Sequence, residues 1–503
     1  MERVAVIQFD YSNLKFMLLE VEGAYFRICD EINENLSLGS DITKNGLISV
    51  VNLTSALKIL KMFRKLCDRN NVTKSFSVAT EIFKHAKNEK SFFEEIYNNT
   101  GFNFQILSVD EQTRAIYSGI INVMDCPKGV LFNVDNNNTT IVYYNRRNCL
   151  KSFVLNIGAL TLAEKFESDK TSNKEKYDKM VTFVKSELKK LIGNEQLDLE
   201  TSFIGGGNSF LNLGRLARKA THYPLELENN YVVSSQTMSS VYDFVLNLDL
   251  DKTMKLKGIS SERADMLASG ICIIKALFET YNIETLSVSS SGFKQGVIFN
   301  YVIPEVLDKP LSEMMGYSLE SIKKMYEGNN NNINQVYALT LILFKQIKVL
   351  HKLSRAYVKP LKIAATLFES GKRICFENNS KISFDVILNS KIYGVSHKEL
   401  LIAAFAALCQ NPDDLNLSDW IRYKDILSEE DLDAVRKIGM IIKLADALDK
   451  SKNSVVEDIN CDILGDSVIL KTVVAGDASF EIMLANKIAP AFKKIFKKNL
   501  QVI

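Results

Sequence analysis

The chain has 503 residues, and its 62 basic residues nearly balance 60 acidic ones, so the formal charge is only +2. At about 150 residues per domain, this length predicts roughly three to four domains. The balanced charge argues against binding of DNA or RNA through the overall field, and any polyanionic partner needs a local patch.

The N-terminus reads MERVAVIQF, which predicts a strand and not a signal-peptide core. The longest apolar stretch, LLIAAFAALC at 400–409, is about half the length of a membrane span. The eight cysteines are scattered along the chain, as expected for reduced thiols. Together these features predict a cytoplasmic protein without a membrane segment.

Residues 1–121 predict an α/β domain. The segment VAVIQFDYSNLKFMLLEVEGAYFRICDE indicates strands joined by turns, and residues 48–68 have helical periodicity. SFSVAT then predicts a short strand, SFFEEIYNN a helix, and FQILSV another strand.

Residues 122–305 repeat this alternation. GVLFNV and TTIVYYN predict strands joined by a turn at Asp135–Asn138, where Asn tolerates left-handed backbone angles. Helices are expected over 159–193, 208–220 and 235–281, with strands at ETSFIGGG and ETLSVSSS. Two rounds of mixed strands and helices predict two similar α/β domains.

The pattern changes after residue 305. Residues 306–450 predict consecutive amphipathic helices, with GNNNNINQ at 328–335 as a connecting loop. Residues 451–503 alternate again and are expected to end in the basic amphipathic helix FKKIFKKNL. The predicted fold class is therefore α/β plus α, with a small α+β domain at the end.

The stretch FIGGGNSFLNLGRLARK, 203–219, is the most informative candidate for an anion site. A strand leads into Gly205, Gly206 and Gly207, which let backbone N–H groups approach a ligand, and the helix start adds partial positive charge. The alternative, with about equal weight, is a tight turn in which Asn208 or Ser209 caps the helix.

Two further turns have the same two interpretations. Thr80 and Lys84 follow the strand SVAT, at the strand end where ligands collect in α/β folds. Lys84 is either a phosphate ligand or a solvated lysine. VSSSGFKQG, 288–296, either lines a cleft or only reverses the chain.

The stretch SVDEQTRAIYSG, 108–119, sets Asp110 and Glu111 side by side at a strand-to-helix boundary. Such a pair either activates a water molecule or caps the helix. Ser108 and Glu111 have the S-x-x-E spacing of a capping box, and we favour the cap over a displaced general base.

Five stretches together resemble the exopolyphosphatase/guanosine pentaphosphate phosphohydrolase (Ppx/GppA) family. They are FNFQILSVDEQTRAIYSGI, FIGGGNSFLNLGRLARK, LKGISSERADMLASG, LSVSSSGFKQGVI and IIKLADALDKSKN. The resemblance implies two actin-like (RNase H-like) domains, 1–121 and 122–305, a helical HD-like domain and a small C-terminal domain. It also implies release of terminal phosphate from polyphosphate or a guanosine polyphosphate nucleotide, usually with Mg²⁺. A homodimer is left open.

Several acidic positions of the family pattern are changed in this chain. The water-activating Glu aligns with Gln112, which orients a water molecule but cannot accept its proton. In the first motif, which resembles IDLGSNSF, Gln8 takes the Asp position and Asp10 replaces a Gly. The motif that resembles DIGGGSTEL reads NVDNNNTTI, 133–141, so Asn133 replaces the Asp and Asp135 adds a negative charge that opposes phosphate.

Two hypotheses remain. In the first, a phosphohydrolase persists with Glu111 as base and Asp10 and Asp135 beside Mg²⁺. Phosphate would be held by a polar set, namely Thr80, Lys84, Asn136, Asn137, Asn138, Thr139, Gly205, Gly206, Gly207, Asn208 and Ser209. In the second, the chain is a catalytically silent homologue that binds polyphosphate, a nucleotide or a protein partner. Loss of acidic residues from several motifs slightly favours impaired catalysis.

Overall fold

The computed structural model describes residues 1–168, 172–193, 201–248, 264–303, 311, 313–327, 331–410, 414 and 416–503. The chain divides into two compact units, Met1–Met314 and Met315–Ile503. In the described ranges no helix is long and apolar enough to cross a membrane.

The first sheet of unit 1 begins with a three-stranded meander. Strands β1 (Glu2–Phe9) and β2 (Asn13–Glu22) pair antiparallel, as do β2 and β3 (Tyr25–Asn35). On the other side of β1, β4 (Lys74–Ala79) and then β5 (Phe104–Ile106) add in parallel. The strand order is β3-β2-β1-β4-β5.

Four helices belong to this first half of unit 1. They are α1 (Leu38–Asn45), α2 (Val50–Arg69), α3 (Glu89–Thr100) and α4 (Val109–Ile121). The run Val4–Phe9 is buried along its whole length, because β1 is a central strand with other elements on both faces. Phe9 packs against Phe83 and Phe104, with ring centroids 5.5 and 4.8 Å away.

The second sheet follows the same plan. A meander of β6 (Lys128–Val134), β7 (Thr139–Asn145) and β8 (Asn148–Leu155) is extended by β9 (Ser202–Gly206), which runs parallel to β6. Strand β11 (Thr285–Val288) adds parallel to β9, and β10 (Tyr231–Ser234) adds antiparallel to β11. Both sheets therefore place a parallel strand beside the first strand of a meander.

The helices of this second half form its main apolar core with the sheet. They are α5 (Ala159–Lys165), α6 (Asn173–Ile192), α7 (Asn208–Ala220), α8 (Ser235–Leu246) and α9 (Ala264–Tyr281). The short helix α10 (Phe293–Val297) has no residue in this core and packs against α4, with Gly296 beside Ala115. Part of the stretch LKGISSERADMLASG, and part of the helix expected over 235–281, lie outside the described residues.

Unit 2 is helical before its last segment. Its helices are α11 (Met314–Glu327), α12 (Asn331–Gln346), α13 (Lys348–His351), α14 (Val358–Leu367), α15 (Asn379–Asn389), α16 (His397–Leu408), α17 (Leu417–Ile421) and α18 (Glu429–Ala447). The end of the chain forms β12 (Val456–Ile463), β13 (Ser467–Val474), α19 (Ser479–Lys487), α20 (Ala489–Phe496) and β14 (Asn499–Val502).

Three local predictions need correction. The loop expected over 328–335 is wrong from Asn331 onward, where α12 begins, and residues 328–330 lie outside the described part. The chain does not end in the helix FKKIFKKNL, because α20 stops at Phe496 and β14 pairs parallel with β13. No residue of the turn at Asp135–Asn138 has a left-handed backbone angle.

That turn is held by tertiary hydrogen bonds. The backbone carbonyl of Asn136 accepts the N–H groups of Leu160 and Thr161 at 2.9 and 3.2 Å. The backbone N–H of Asp135 donates to the Asn138 carbonyl at 3.0 Å. Contacts to the start of α5 therefore set the backbone of this turn, and the tolerance of Asn for positive φ is not used.

Candidate functional site

A cleft of about 610 Å³ opens in unit 1 and is lined from both sheets. Strands β1, β4, β6, β9 and β11 each pair in parallel with a neighbour, and each has a residue of this lining next to its carboxyl end; four of these five residues are polar. These residues are Gln8, Thr80, Asn133, Gly207 and Ser289. Carboxyl ends of strands are the usual ligand sites of α/β sheets, so this cleft is the candidate functional site.

Asp10 lines the cleft, directly after β1, and both of its carboxylate oxygens are engaged. Oδ1 accepts the backbone N–H groups of Ser12 at 3.0 Å and Asn13 at 2.7 Å, and the side-chain amide of Asn13 at 3.0 Å. Oδ2 pairs with the Lys15 ammonium at 2.7 Å. Burial alone would raise the pKa of Asp10, but Lys15 and these hydrogen bonds hold it below its usual range.

Asp135 lines the same cleft with far fewer partners. Its Oδ2 accepts the side-chain amide of Asn133 at 2.7 Å. Desolvation raises the pKa of Asp135 to about 6, and the negative charge of Asp10 acts in the same direction, while Lys15 and Asn133 oppose it. Asp135 is therefore a carboxyl group that titrates near neutral pH.

The glycine turn is built around Gly207, whose φ of 87° is left-handed. Gly207 itself is the N-cap of α7, so the expectation that Asn208 or Ser209 caps this helix is wrong. Gly207 supplies no capping side chain to α7, and Gly207 and Asn208 both line the cleft. An uncapped helix start of this kind presents N–H donors and partial positive charge.

The remaining residues of the glycine turn do not line the cleft. Gly205 and Gly206 end β9, and a Cβ on Gly205 would lie 2.3 Å from the Phe210 ring. Ser209 is buried, and its Oγ would lie 2.6 Å from a Cβ on Gly270. The lack of a side chain at Gly205 lets Phe210 of α7 pack against β9, and the lack of one at Gly270 lets α9 approach Ser209 of α7.

Glu111 forms the capping box that its spacing predicted. Its carboxylate accepts the backbone N–H and the hydroxyl of Ser108 at 2.7 and 2.8 Å, and its own N–H donates to the Ser108 hydroxyl at 3.3 Å. The backbone and hydroxyl bonds from Ser108 hold the pKa of Glu111 below its usual range. Glu111 is not part of the cleft lining, so its position gives no support to a role as general base.

Gln112 does line the cleft, one residue further along α4. Its side-chain NH₂ donates to the carbonyls of Leu107 at 3.0 Å and Ser108 at 3.4 Å. Helix α4 therefore presents an amide, and no carboxylate, at this point of the cleft.

Two buried polar atoms beside Asp10 have no hydrogen-bond partner among the described residues. They are Oε1 of Gln8, which is 2% exposed, and Oγ1 of Thr80. Gln8 lies near the end of β1, and Thr80 directly follows the neighbouring parallel strand β4. The backbone N–H of Thr80 donates to the Phe9 carbonyl. Because a buried acceptor without a partner is costly, these atoms mark a place where a ligand group can donate.

The cleft therefore brings together a large part of the residues predicted from the sequence. Those lining it are Asp10, Thr80, Gln112, Asp135, Asn136, Asn137, Asn138, Gly207 and Asn208. Those outside the lining are Lys84, Glu111, Thr139, Gly205, Gly206 and Ser209. Lys84 is exposed, and the Thr139 hydroxyl donates to the Ile157 carbonyl at 2.8 Å.

The stretch VSSSGFKQG does line the cleft, from Ser289 to Gln295, and Glu81 lines it as well. Sequence reasoning missed Lys15 and the pairing of Lys294 with Glu31, which measures 2.7 Å. Alternation along β2 places Lys15 on the same face as Asn13 and could have revealed it. The pairing of Lys294 with Glu31, 263 positions away, has no local signal.

The donor set at Asp10 and Asp135 does not fit the Mg²⁺ that the family resemblance implied. Mg²⁺ demands several oxygen ligands in near-octahedral order, whereas both oxygens of Asp10 already accept hydrogen bonds or pair with Lys15. Within the described residues, no group of three or more His, Cys, Asp or Glu side chains could hold a metal ion. The prediction of a metal site at Asp10 and Asp135 therefore gains no support from this geometry.

The fold of the first 300 residues is that of solved Ppx/GppA proteins. A Ppx/GppA family member from Aquifex aeolicus matches 60% of this chain and 98% of its own length, at 21% identity and a TM-score of 0.53. An exopolyphosphatase from Cytophaga hutchinsonii gives the same coverage at 17% identity and a TM-score of 0.54. At these identities the likeness defines the fold.

Sequence relatives lead to the same family. A guanosine-5'-triphosphate,3'-diphosphate pyrophosphatase from Pseudoalteromonas translucida is 21% identical over 402 residues, which cover 78% of each protein. A bifunctional 3-dehydroquinate synthase/phosphatase from Fusobacterium nucleatum is 23% identical over 278 residues, 54% of this chain and 41% of that protein. The Ppx/GppA phosphatase family matches residues 18–304, more than half of the chain. The chain belongs to the Ppx/GppA phosphatase family.

Proposed function

We propose that this chain binds a phosphate compound of the polyphosphate or guanosine polyphosphate type in the cleft and hydrolyses it slowly. The family match and the pyrophosphatase relative support the ligand class. The observation that supports slow hydrolysis is the amide of Gln112 at the point where α4 meets the cleft, beside a Glu111 that is fixed in a helix cap. An amide orients water but does not accept its proton.

Within this proposal, the uncapped start of α7 is the favoured phosphate contact. Gly207 and Asn208 line the cleft there, and the helix start supplies partial positive charge without a competing side-chain cap. Asn137 and Asn138 line the cleft too, and an Asn side chain can form neutral hydrogen bonds with phosphate oxygens.

Phosphate release from polyphosphate and from guanosine pentaphosphate tests the catalytic part. We expect little release by the wild-type protein and the same rate for Glu111→Gln, because Glu111 serves the helix cap. Gln112→Glu restores a carboxylate at the cleft and is expected to raise the rate by roughly tenfold or more. Fast release by the wild type that Glu111→Gln abolishes would refute the proposal.

A second candidate function is retained hydrolysis with Asp135 as the base. The observation that favours it is a carboxyl group in the cleft whose pKa is raised to about 6, which suits proton transfer near neutral pH. Asp135→Asn separates the two candidates. It is expected to leave the slow rate unchanged under the first candidate and to abolish release under the second.

A further inference from the structure

The carboxylate of Asp10 is surrounded like a bound anion. Two successive backbone N–H groups, from Ser12 and Asn13, converge on Oδ1 at 3.0 and 2.7 Å, together with the Asn13 side-chain amide at 3.0 Å. The Lys15 ammonium contacts Oδ2 at 2.7 Å. Adjacent backbone N–H groups with an ammonium are a common way to bind phosphate oxygens, and a carboxylate oxygen fits the same donors.

We propose that Asp10 is a built-in anion that fills a phosphate subsite of the cleft from within. This inference rests on the proposed function, because it takes the cleft to be the ligand site. The donors at residues 12, 13 and 15 are then present in the chain but are occupied, and the phosphate groups of a ligand bind elsewhere, towards Gly207 and Asn208.

The other charges of the cleft agree with this arrangement. Its two ammonium groups, from Lys15 and Lys294, are each paired with a carboxylate at 2.7 Å. Two further carboxylates, Glu81 and Asp135, line the cleft with no ion pair among the described residues. A long polyanion would therefore meet excess negative charge in the cleft, where the described lining residues offer no unpaired ammonium.

The unpartnered atoms beside Asp10 indicate what binds on this side instead. Oε1 of Gln8 is an acceptor, and Oγ1 of Thr80 can donate or accept. A fully ionised phosphate offers only acceptors, so it cannot satisfy Gln8, whereas a hydroxyl or amine group can. The side of the cleft at Asp10 thus takes a neutral, donor-bearing part of the ligand, such as a sugar hydroxyl.

Asp10→Gly tests this inference, with inorganic phosphate and tripolyphosphate as probes in isothermal titration calorimetry at fixed ionic strength. Removal of the carboxylate frees four donors, and we expect both probes to bind roughly tenfold tighter or more than to the wild type. Addition of Lys15→Met to this variant should remove most of the gain. Asp10→Asn keeps the side-chain volume and should show a smaller gain in phosphate affinity. This second variant tests the inference if Asp10→Gly proves unstable.

Glu81→Gln is the matched control, because it removes the same charge from the same cleft without freeing donors. We expect it to change affinity by less than about threefold. An equal gain in Glu81→Gln would overturn the inference, since charge alone would then explain it. Unchanged or weaker binding in both Asp10 variants, with their melting temperatures intact, would also overturn it.

The proposed function fails in a different way. Fast phosphate release by the wild type contradicts slow hydrolysis but leaves the comparison of Asp10 and Glu81 variants valid. Tighter phosphate binding by Asp10→Gly, with no polyphosphate or guanosine nucleotide bound by the wild type, supports the built-in anion and refutes the proposed ligand class.

Discussion

The turn after β1 and the hairpin turn at 135–138 place one aspartate each in the same cleft, namely Asp10 and Asp135, and the pKa values of the two shift in opposite directions. Asp10 has three hydrogen bonds from two residues and an ion pair, and its pKa is lowered. Asp135 accepts a side-chain bond from Asn133, and its pKa rises to about 6. The two residues are of the same type and line the same cleft, so the difference comes from their hydrogen-bond donors and charged neighbours. These partners decide whether a carboxylate here stays ionised or titrates.

The largest expected effect comes from Gly207→Ala. The added methyl group would press on the backbone next to Asp135, whereas the hydrogen bonds of Asp10 should stay intact. An added Cβ would lie 2.6 Å from the Val134 carbonyl, at a φ of 87° that Ala adopts poorly. We expect a loss of about 2–4 kcal/mol in the free energy of unfolding, measured with urea. Gly23→Ala is the control, because φ is also positive but no atom lies within 4 Å, so only about 1 kcal/mol should be lost. Equal losses would show that the contact with Val134 is unimportant.

Lys15→Met removes the main partner of Asp10 and should make it resemble Asp135. We expect a loss of about 1–3 kcal/mol in stability, since both side chains of the pair are largely buried, and an upward shift of the Asp10 pKa followed by NMR. Lys294→Met breaks a more exposed pair of the same length and should cost less than about 1 kcal/mol. An Asp10 pKa that does not move would contradict the assigned role of Lys15.

Asp135→Asn removes the titrating member of the comparison. Because the folded pKa is raised from 3.8 to about 6, the folded state favours the protonated form, and the penalty develops as pH rises from about 4 and is complete above about 6. Relative to the variant, the wild type should therefore lose about 1–2 kcal/mol in the free energy of unfolding between pH 4 and 7. This loss is smaller than the full pKa shift would give, because Asp135 is only half-buried and solvent screens its charge. Parallel stability curves for the two proteins would contradict the raised pKa.

Ser108→Ala has the smallest expected effect and extends the comparison to a third carboxylate. Glu111 resembles Asp10, because hydrogen bonds from Ser108 fix its charge. Loss of the hydroxyl should cost about 0.5–1 kcal/mol and leave phosphate release unchanged. Ser91→Ala, on the exposed side of α3, should stay within about 0.5 kcal/mol. A fall in phosphate release would mean that Glu111 acts beyond the cap.

Local signals predicted much of the fold. Alternation and apolar runs gave strands within a few residues of β1, β4, β6, β7 and β9, and the S-x-x-E spacing gave the cap of α4. Each of these depends on neighbours within about four positions, which the sequence contains. The turn at Asp135–Asn138 was wrong in its backbone angles because its carbonyls bond to α5, more than twenty positions away.

The candidate site was only partly predictable for the same reason. Strand ends marked Thr80, Asp135 and Gly207, because the carboxyl ends of parallel strands meet at one edge. Gly205 and Ser209 belong to the same glycine-rich stretch as Gly207 but do not line the cleft. Gly205 packs against Phe210 and Ser209 against α9, and these contacts depend on where the helices lie.

By itself, the sequence determined the family and much of the strand and helix pattern, since both are written in residue order. Only the tertiary structure decided that Asp10 is bound by residues 12, 13 and 15, that Asp135 is left to titrate, and that Gln8 and Thr80 keep unpartnered atoms at the cleft. Charge states and unsatisfied groups depend on distances of a few ångströms between segments and on the water that these segments exclude, and residue order specifies neither directly.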